Sequence, residues 1–425
     1  MVAVLFITFL ICLAIGVPVA FSLGISSLVY FIGAGMPLTT MSQRFFAGLD
    51  SFTLLCIPGF VLAGSLMNQG GITERLIGFC NKIVGHITGG LALANVGASM
   101  LFAGISGTAL ADTVSIGGVL IPAMKKQGYD SEFSCAVTAA SSCVGPIIPP
   151  SVPMIIAATM TGLSVSKMFI AGIIPGILLG VVMLIVAYII SKKRNYPKAE
   201  RRATLKEIIK SGKESFFAIV MTLIILVGIL GGIVTPTEAS IIAVLYGVLV
   251  GFFVYKELTM KRFLKCLQDT VVSSAAIMAL VGFANIFAYI LTKEQIPQMV
   301  AEFMLSVTTN KYIILLLVNL LLVFVGMFME TISAILILFP VLLRLVTAVG
   351  VDPIQFGVIC VLNLVLGLCT PPVGVCLFAA TNIGETKLTK VTKELVPFLI
   401  GNFAVLGLVT YVPALTIGIV NLFSK

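Results

Sequence analysis

Charge is what this chain has least of. Asp, Glu, Lys and Arg make up 10% of its 425 residues, against roughly a quarter in an ordinary soluble domain. With 59% of residues hydrophobic, a soluble fold is excluded. Strand-like alternation is missing too, which argues against a β-barrel. No GxxxxGK[ST] sequence occurs, so the chain does not hydrolyse ATP by that route, and its energy must come from an ion gradient or a partner. The nine cysteines mostly lie within apolar segments and show no CxxC or Cys/His spacing, so they read as free, small core residues rather than disulfides or metal ligands. The one histidine, His86, has no ligand partner nearby in sequence. Met1 to Ala14 lacks a basic n-region and a small-residue cleavage site, and reads as a spanning helix rather than a removed signal.

What is present is apolar length. Runs of about 17 to 25 apolar residues recur throughout, which is the helical span of a bilayer core. The chain therefore reads as an all-α polytopic membrane protein. Its net charge of +9 concentrates in one loop, Ser191 to Lys213, which carries Lys192, Lys193, Arg194, Lys198, Arg201, Arg202, Lys206, Lys210 and Lys213. Such a loop between apolar segments meets the membrane surface rather than nucleic acid. The positive-inside rule places it in the cytoplasm.

A stretch from Gly104 to Pro150 returns as an echo from Gly326 to Pro372. Asp112, Thr113 and Pro122 fall on Glu330, Thr331 and Pro340 without a gap. After a short insertion, Gly145, Pro149 and Pro150 fall on Gly367, Pro371 and Pro372, Ala157-Ala158-Thr159 on Ala379-Ala380-Thr381, and Pro175 on Pro397. An ordered set of this kind implies a duplicated unit. Both copies put polar, helix-breaking residues inside apolar sequence, where unpaired backbone groups facing lipid would cost several kcal/mol. They should face protein, ions or a water-filled cavity.

Taken in order, residues 2 to 34 form two helices joined at Gly16-Val-Pro18. Met36 to Ser51 reads as a polar connector, and Phe52 to Met67 as a span kinked at Pro58-Gly59. Ile72 to Ile87, with Glu74, Arg75, Lys82 and His86 at helical spacing, suggests an interfacial helix. Leu91 to Met124 is too short for two full crossings with a loop and fits a re-entrant hairpin with its tip at Gly104 to Asp112. Tyr129 to Leu163 then crosses with a break near Gly145 to Pro150, and Ser166 to Ile190 returns to the basic loop. The second copy repeats these parts, with an interfacial segment at Lys293 to Thr309, a hairpin from Tyr312 to Ala348 and a broken helix from Pro353 to Gly384. Each copy has an odd number of crossings plus one hairpin, so the second copy should be inverted relative to the first, an arrangement expected of many secondary transporters.

Half-helix ends meeting near mid-membrane expose carbonyls, which suit a hard cation such as Na⁺, and N–H groups at the positive dipole end, which suit a carboxylate. Ser106, Thr108, Ser141 and Ser142 in the first copy, and Thr331, Asn363 and Thr370 in the second, would complete such shells. The plainer alternative is that Ser, Thr and Gly let membrane helices pack closely; their recurrence at matched positions favours binding. Asp112 and Glu330 read either as helix caps or as negative charge near a bound cation. Glu238 and Asp50 lie near helix ends.

The tip Ala103-Gly-Ile-Ser-Gly-Thr-Ala-Leu-Ala-Asp112, the break Gly145-Pro-Ile-Ile-Pro-Pro150 and its echo closely resemble the large membrane subunit, the M-type or DctM-like component, of tripartite ATP-independent periplasmic (TRAP) transporters. The resemblance covers essentially the whole chain. It implies an elevator-type transporter of the bacterial inner membrane with Na⁺ as coupling ion, no other cofactor, and no enzymatic activity. It also implies a small organic acid anion as cargo, a periplasmic substrate-binding protein that delivers it, and a separate small four-helix membrane subunit. The chain would divide into scaffold helices and an interfacial arm (1–90), hairpin, broken helix and following helix (91–190), a basic connector (191–213), a second scaffold and arm (214–310), and a second hairpin, broken helix and final helix (311–425). Carried onto this sequence, one sodium site would use Ser106, Gly107 and Thr108 with Ser141 to Gly145, and the other Gly326 to Thr331 with Asn363, Gly367 and Thr370. Substrate would lie between them, reached by Thr108, Pro149, Pro150, Thr331 and Pro371. A stand-alone divalent-anion/sodium symporter shares this hairpin logic. An intramembrane aspartyl protease with Asp112 and Glu330 as its dyad is a remote alternative, because each acid starts a half-helix in an inverted copy.

Overall fold

The computed structural model describes residues 1–199 and 201–423, with the side chains of residues 104–106, 305, 307 and 423 outside the description. Among the described residues the secondary structure is helical, with no strand. The first copy contains α1 (Val2–Ala14), α2 (Val19–Gly33), α3 (Leu38–Leu49), α4 (Cys56–Gln69), α5 (Ile72–Val84), α6 (Gly90–Ser106), α7 (Ala109–Lys126), α8 (Ser131–Ser141), α9 (Val152–Thr161) and α10 (Val165–Lys193). The second contains α11 (Leu205–Leu230), α12 (Pro236–Leu249), α13 (Met260–Lys293), α14 (Ile296–Val307), α15 (Lys311–Gly326), α16 (Thr331–Ala348), α17 (Pro353–Gly367), α18 (Val375–Gly384), α19 (Leu388–Tyr411) and a short α20 (Ile417–Phe423). Among the described residues, seven helical segments are long and apolar enough to cross a membrane.

Two local expectations change. The connector at Met36 to Ser51 contains the helix α3, because Met41, Phe45 and Leu49 recur every four residues and give it an apolar stripe that packs on α13. The Phe45 ring meets Phe283 at 5.0 Å, and the Arg44 guanidinium lies 4.2 Å over the Tyr289 ring. Pro58 does not interrupt a span, because α4 starts at Cys56 after a 3₁₀ turn. That puts the proline in the first helical turn, where its missing N–H had no intrahelical partner to lose.

Elsewhere the helix starts carry their own signals. Thr204 with Glu207 and Thr235 with Glu238 form reciprocal capping boxes at α11 and α12. Asp352 accepts from Ile354 N at 2.8 Å and Gln355 N at 3.2 Å, with Pro353 opening α17. Each such cap contributes about 1 kcal/mol.

Much of the packing falls within two groups of helices, which meet where α5 packs on α6 and α14 on α16. One is built from α1–α5 and α11–α14, in which α4 packs on α12 and α2 on α13. The other is built from α6–α10 and α15–α19, around α8 and α17, whose residues from Phe133 to Ser141 and from Ile354 to Gly367 are all buried. Within this second body the copies interlock, since α9 packs on α16 and α17 while α18 packs on α7 and α8. The C-terminal carbonyl of α18, at Gly384, accepts from Lys125 Nζ at 2.9 Å and from Ser131 Oγ at 2.8 Å, both in the first copy. Cys143 and Cys369 meet with sulfurs 3.1 Å apart, and all nine cysteines are buried.

Beyond the membrane-spanning part, Arg194 ties three helices together. It donates to both Glu394 oxygens at 2.9 and 2.7 Å and to Asp130 at 3.0 Å, joining α10 to α19 and α8. The bond to Glu394 pushes the Arg194 pKa up, and burial followed by the bond to Asp130 pushes the Tyr196 phenol up.

Candidate functional site

The two hairpins turn by different means. In the first, α6 gives way to Gly107 at φ +63° and to extended Thr108, and α7 begins at Ala109. A side chain at Gly107 would be disfavoured by that left-handed backbone, and its Cβ would lie 3.2 Å from the Pro150 carbonyl oxygen. The tip is thus seated on the first helix break. In the second hairpin, α15 ends at Gly326 and α16 begins only at Thr331. Glu330 is the cap there, its carboxylate accepting from Ile332 N at 2.8 Å and Ser333 N at 3.2 Å.

Between the tips lies a cavity of about 190 Å³. Thr108, Ala109 and Leu110 open α7 on its wall, Glu330, Thr331 and Ile332 open α16, and Pro146 and Pro153 line it from the first break. Glu330 occupies N–H groups of α16, and α7 carries a carboxylate of its own, Asp112, in its first turn.

The breaks come close to the hairpins because glycine stands at the contact. A Cβ at Gly145 would overlap Asp112 Oδ2, and one at Gly367 would overlap the backbone of Gly326. At Gly326 the added atom would lie 3.0 Å from the Leu364 carbonyl oxygen. Gly145, Gly326 and Gly367 therefore have a packing role whatever else their carbonyls do.

Side-chain oxygens are arranged differently in the two copies. In the first, Asn95 donates to Thr138 Oγ1 at 2.7 Å, Ser99 and Ser141 share a bond of 2.9 Å, and Thr113 donates to Ser142 Oγ at 2.8 Å. In the second, Asn363 donates to Asn319 Oδ1 at 2.9 Å, and Asn319 donates to Thr410 Oγ1 at 3.0 Å. Thr370 donates back to the Leu366 carbonyl at 2.7 Å. Asn363 Oδ1 and Thr331 Oγ1 are buried and have no hydrogen-bond partner among the described residues. Buried polar atoms without partners are uncommon and mark places where an ion, water or ligand belongs.

Of the residues singled out in the sequence, the fold brings Thr108, Thr331 and Glu330 to one cavity and gathers Asp112 with Gly145, and Gly326 with Gly367. The Ser106 side chain lies outside the described residues. Pro149, Pro150 and Pro371 do not line the cavity, whose prolines are Pro146 and Pro153. Asp112 is wholly buried one turn inside α7 and is not its cap, which is Thr108. The pair Asp112 and Glu330 forms no dyad, since one side chain faces Gly145 and the other caps α16. Sequence reading missed Asn95, Ser99, Thr138 and Asn319. A signal existed, because an amide or hydroxyl repeating four residues apart in an apolar run, as Asn95 and Ser99 do, is the pattern of a polar seam between membrane helices.

The comparisons with known proteins follow this geometry. Residues 6–415 match the family model described as tripartite ATP-independent periplasmic transporter, DctM component. The chain is 40% identical over 412 residues to the sialic acid TRAP transporter large permease protein SiaM of Vibrio cholerae, covering 96% of each chain. It is 41% identical over 413 residues to the isethionate TRAP transporter permease protein DctMQ of Oleidesulfovibrio alaskensis, where the match covers 97% of this chain and 65% of that one. In fold it is similar to the YdaH transporter of Alcanivorax borkumensis, with a TM-score of 0.63 at 17% identity, covering 88% of this chain and 87% of that one. Matched along nearly its whole length, the chain belongs to the DctM family, the large permease component of tripartite ATP-independent periplasmic transporters, in the inner membrane.

Proposed function

We propose that the protein carries a small organic acid anion into the cell, coupled to sodium, with the cargo held in the cavity between the two hairpin tips. The observation that carries this reading is the meeting of both second half-helices, at Thr108 and Thr331, on one wall-to-wall space of about 190 Å³. The start of α7 would turn N–H groups toward the anion, with the Asp112 carboxylate in its first turn offsetting part of the dipole. Asn363 Oδ1 and Thr331 Oγ1 offer oxygen donors of the kind a hard cation takes, as the substrate's companion ion. Relatives named for sialic acid and isethionate suggest that the acid group, carboxylate or sulfonate, is the common element of the cargo.

The body of α6–α10 and α15–α19 would move as a unit against the other, carrying the cavity across the bilayer, with the two copies in inverted orientation. A periplasmic substrate-binding protein would deliver the anion, and a small four-helix membrane subunit would complete the complex. Uptake of a panel of labelled organic acids into proteoliposomes tests this. The expected result is uptake that needs both a sodium gradient and the cognate binding protein. Sodium-dependent uptake without any binding protein would replace this reading with a stand-alone symporter, and uptake indifferent to sodium would remove the ion sites.

A further inference from the structure

A second cavity, about 310 Å³, lies between the two bodies and shares Thr108 with the first. Its wall on α4 carries Gly64, Ser65 and Asn68, its wall on α13 carries Asp269, Thr270 and Ser273, and its wall on α7 carries Ser115. Asn68 donates to Ser115 Oγ at 3.0 Å across the junction of the bodies. Thr270 Oγ1 is buried, with the residue 6% exposed, and has no hydrogen-bond partner among the described residues. The chamber therefore sets hydroxyls, an amide and one carboxylate on mainly apolar walls, Val61, Phe102 and Ile277 among them.

Its position in the chain fixes its side. Helix α13 starts at Met260 beside Lys256, Lys261, Arg262 and Lys265, the cytoplasmic stretch under the positive-inside rule. Asp269 comes about 14 Å further along at 1.5 Å per residue. The far end of α4 is held at the same surface, where Arg75 pairs with Glu257 at 2.6 Å. The chamber thus runs from Thr108 toward the cytoplasm. Lysine and arginine are absent from its lining, and Asp269 is its one charged residue. Asp269 is exposed and has no ion-pair partner within 4.0 Å among the described residues, Lys265 one turn away included.

We propose that Asp269 sets the charge selectivity of the cytoplasmic exit. Its carboxylate lowers the local concentration of organic anions at this mouth and raises that of cations, a bias that acts on exit and re-entry alike. A single fixed charge in a narrow chamber with low-dielectric walls is enough to bias local ion concentrations. This rests on the transport reading above, and it is tested by a measurement that requires no transport.

Ser273→Cys in the full chain is treated, in inverted membrane vesicles, with two membrane-impermeant methanethiosulfonates of opposite charge, the sulfonatoethyl anion and the trimethylammonium-ethyl cation. Each rate is divided by that reagent's rate with a small free thiol. The buried native cysteines give the background from the unsubstituted chain. Expected are labelling from the cytoplasmic face and a cation preference on the order of tenfold that collapses in Asp269→Asn and shrinks at high salt. Labelling from the periplasmic face only, no labelling, or a preference unchanged by Asp269→Asn overturns the proposal. If Ser273→Cys does not reach the membrane, Ser115→Cys on the opposite wall gives the same readout. A protein that moved no organic acid at all would still show the charge preference, so failure of the transport reading and failure of this one are separable.

Discussion

In the first hairpin the residue matched to Glu330 does not hold the N-cap position of its helix. Asp112 is buried one turn into α7, against Gly145, and Thr108 takes the cap position. In the second hairpin the helix starts four positions later in the matched frame, so the carboxylate moves from the helix body to the cap and onto the cavity wall. The same shift reaches the glycines. Gly145 faces a side chain, whereas Gly367 faces the backbone of Gly326. It reaches the hydroxyls as well, because Thr113 is bonded to Ser142 while its match, Thr331, is left open. Matched sequence positions persist between the hairpins; a slipped helix start changes what those positions do.

The sharpest way to break this comparison is at the two glycines. Gly367→Ala forces an atom into backbone that has no rotamer to escape into, and it should abolish uptake with a large loss of thermal stability, above the usual ~1–3 kcal/mol for overpacking. Gly145→Ala meets chiefly the Asp112 carboxylate, a side chain rather than backbone, and should retain folded protein with reduced uptake. Thermal melting in detergent alongside uptake checks both. Equal losses at the two positions would show that the copies are tighter equivalents than the contacts indicate.

The open oxygens come next. Thr331→Val should raise the sodium concentration needed for half-maximal uptake by about tenfold, equivalent to ~1.4 kcal/mol at one ligand, with little change in expression. Ser141→Ala should leave that concentration nearly unchanged, since its hydroxyl is engaged with Ser99, and should instead lower stability by about 1 kcal/mol. Sodium titrations of uptake separate the two. A larger sodium effect in Ser141→Ala would reverse the assignment of which copy holds its ion through side chains.

Much of this was readable in the chain beforehand. The hairpins, the breaks and the basic loop announced themselves because helix breakers and charges stand out against apolar sequence, and the matched Asp112 and Glu330 marked the tips. Roles at the tips were less readable. Whether an acid caps a helix depends on where that helix starts, and a start can slip by a turn without altering the pattern of apolar residues. The helix α3 was hidden because Thr39, Thr40, Ser42, Gln43 and Arg44 mask a narrow stripe of Met41, Phe45 and Leu49 that has meaning only once α13 lies beside it. Crossed packing of α9 on α16 and α18 on α7 had no local signal at all, since it depends on how two distant copies meet.

The smallest expected effect isolates the cap itself. Glu330→Ala removes the acceptor for Ile332 N and Ser333 N and should cost about 1 kcal/mol, the usual value of an N-cap. Glu330→Gln keeps an oxygen at the same reach while removing the charge, so its stability loss should be less than half of that. If the carboxylate serves only α16, uptake in Glu330→Gln should follow its modest loss of stability. If its charge also helps to hold a cation near Thr331, the glutamine variant should melt almost like the parent yet need more sodium. Thermal melts and sodium titrations on the same pair of variants therefore divide helix capping from ion binding at the one acid that lines the cavity, a division that Asp112, wholly buried and off the cavity wall, does not permit.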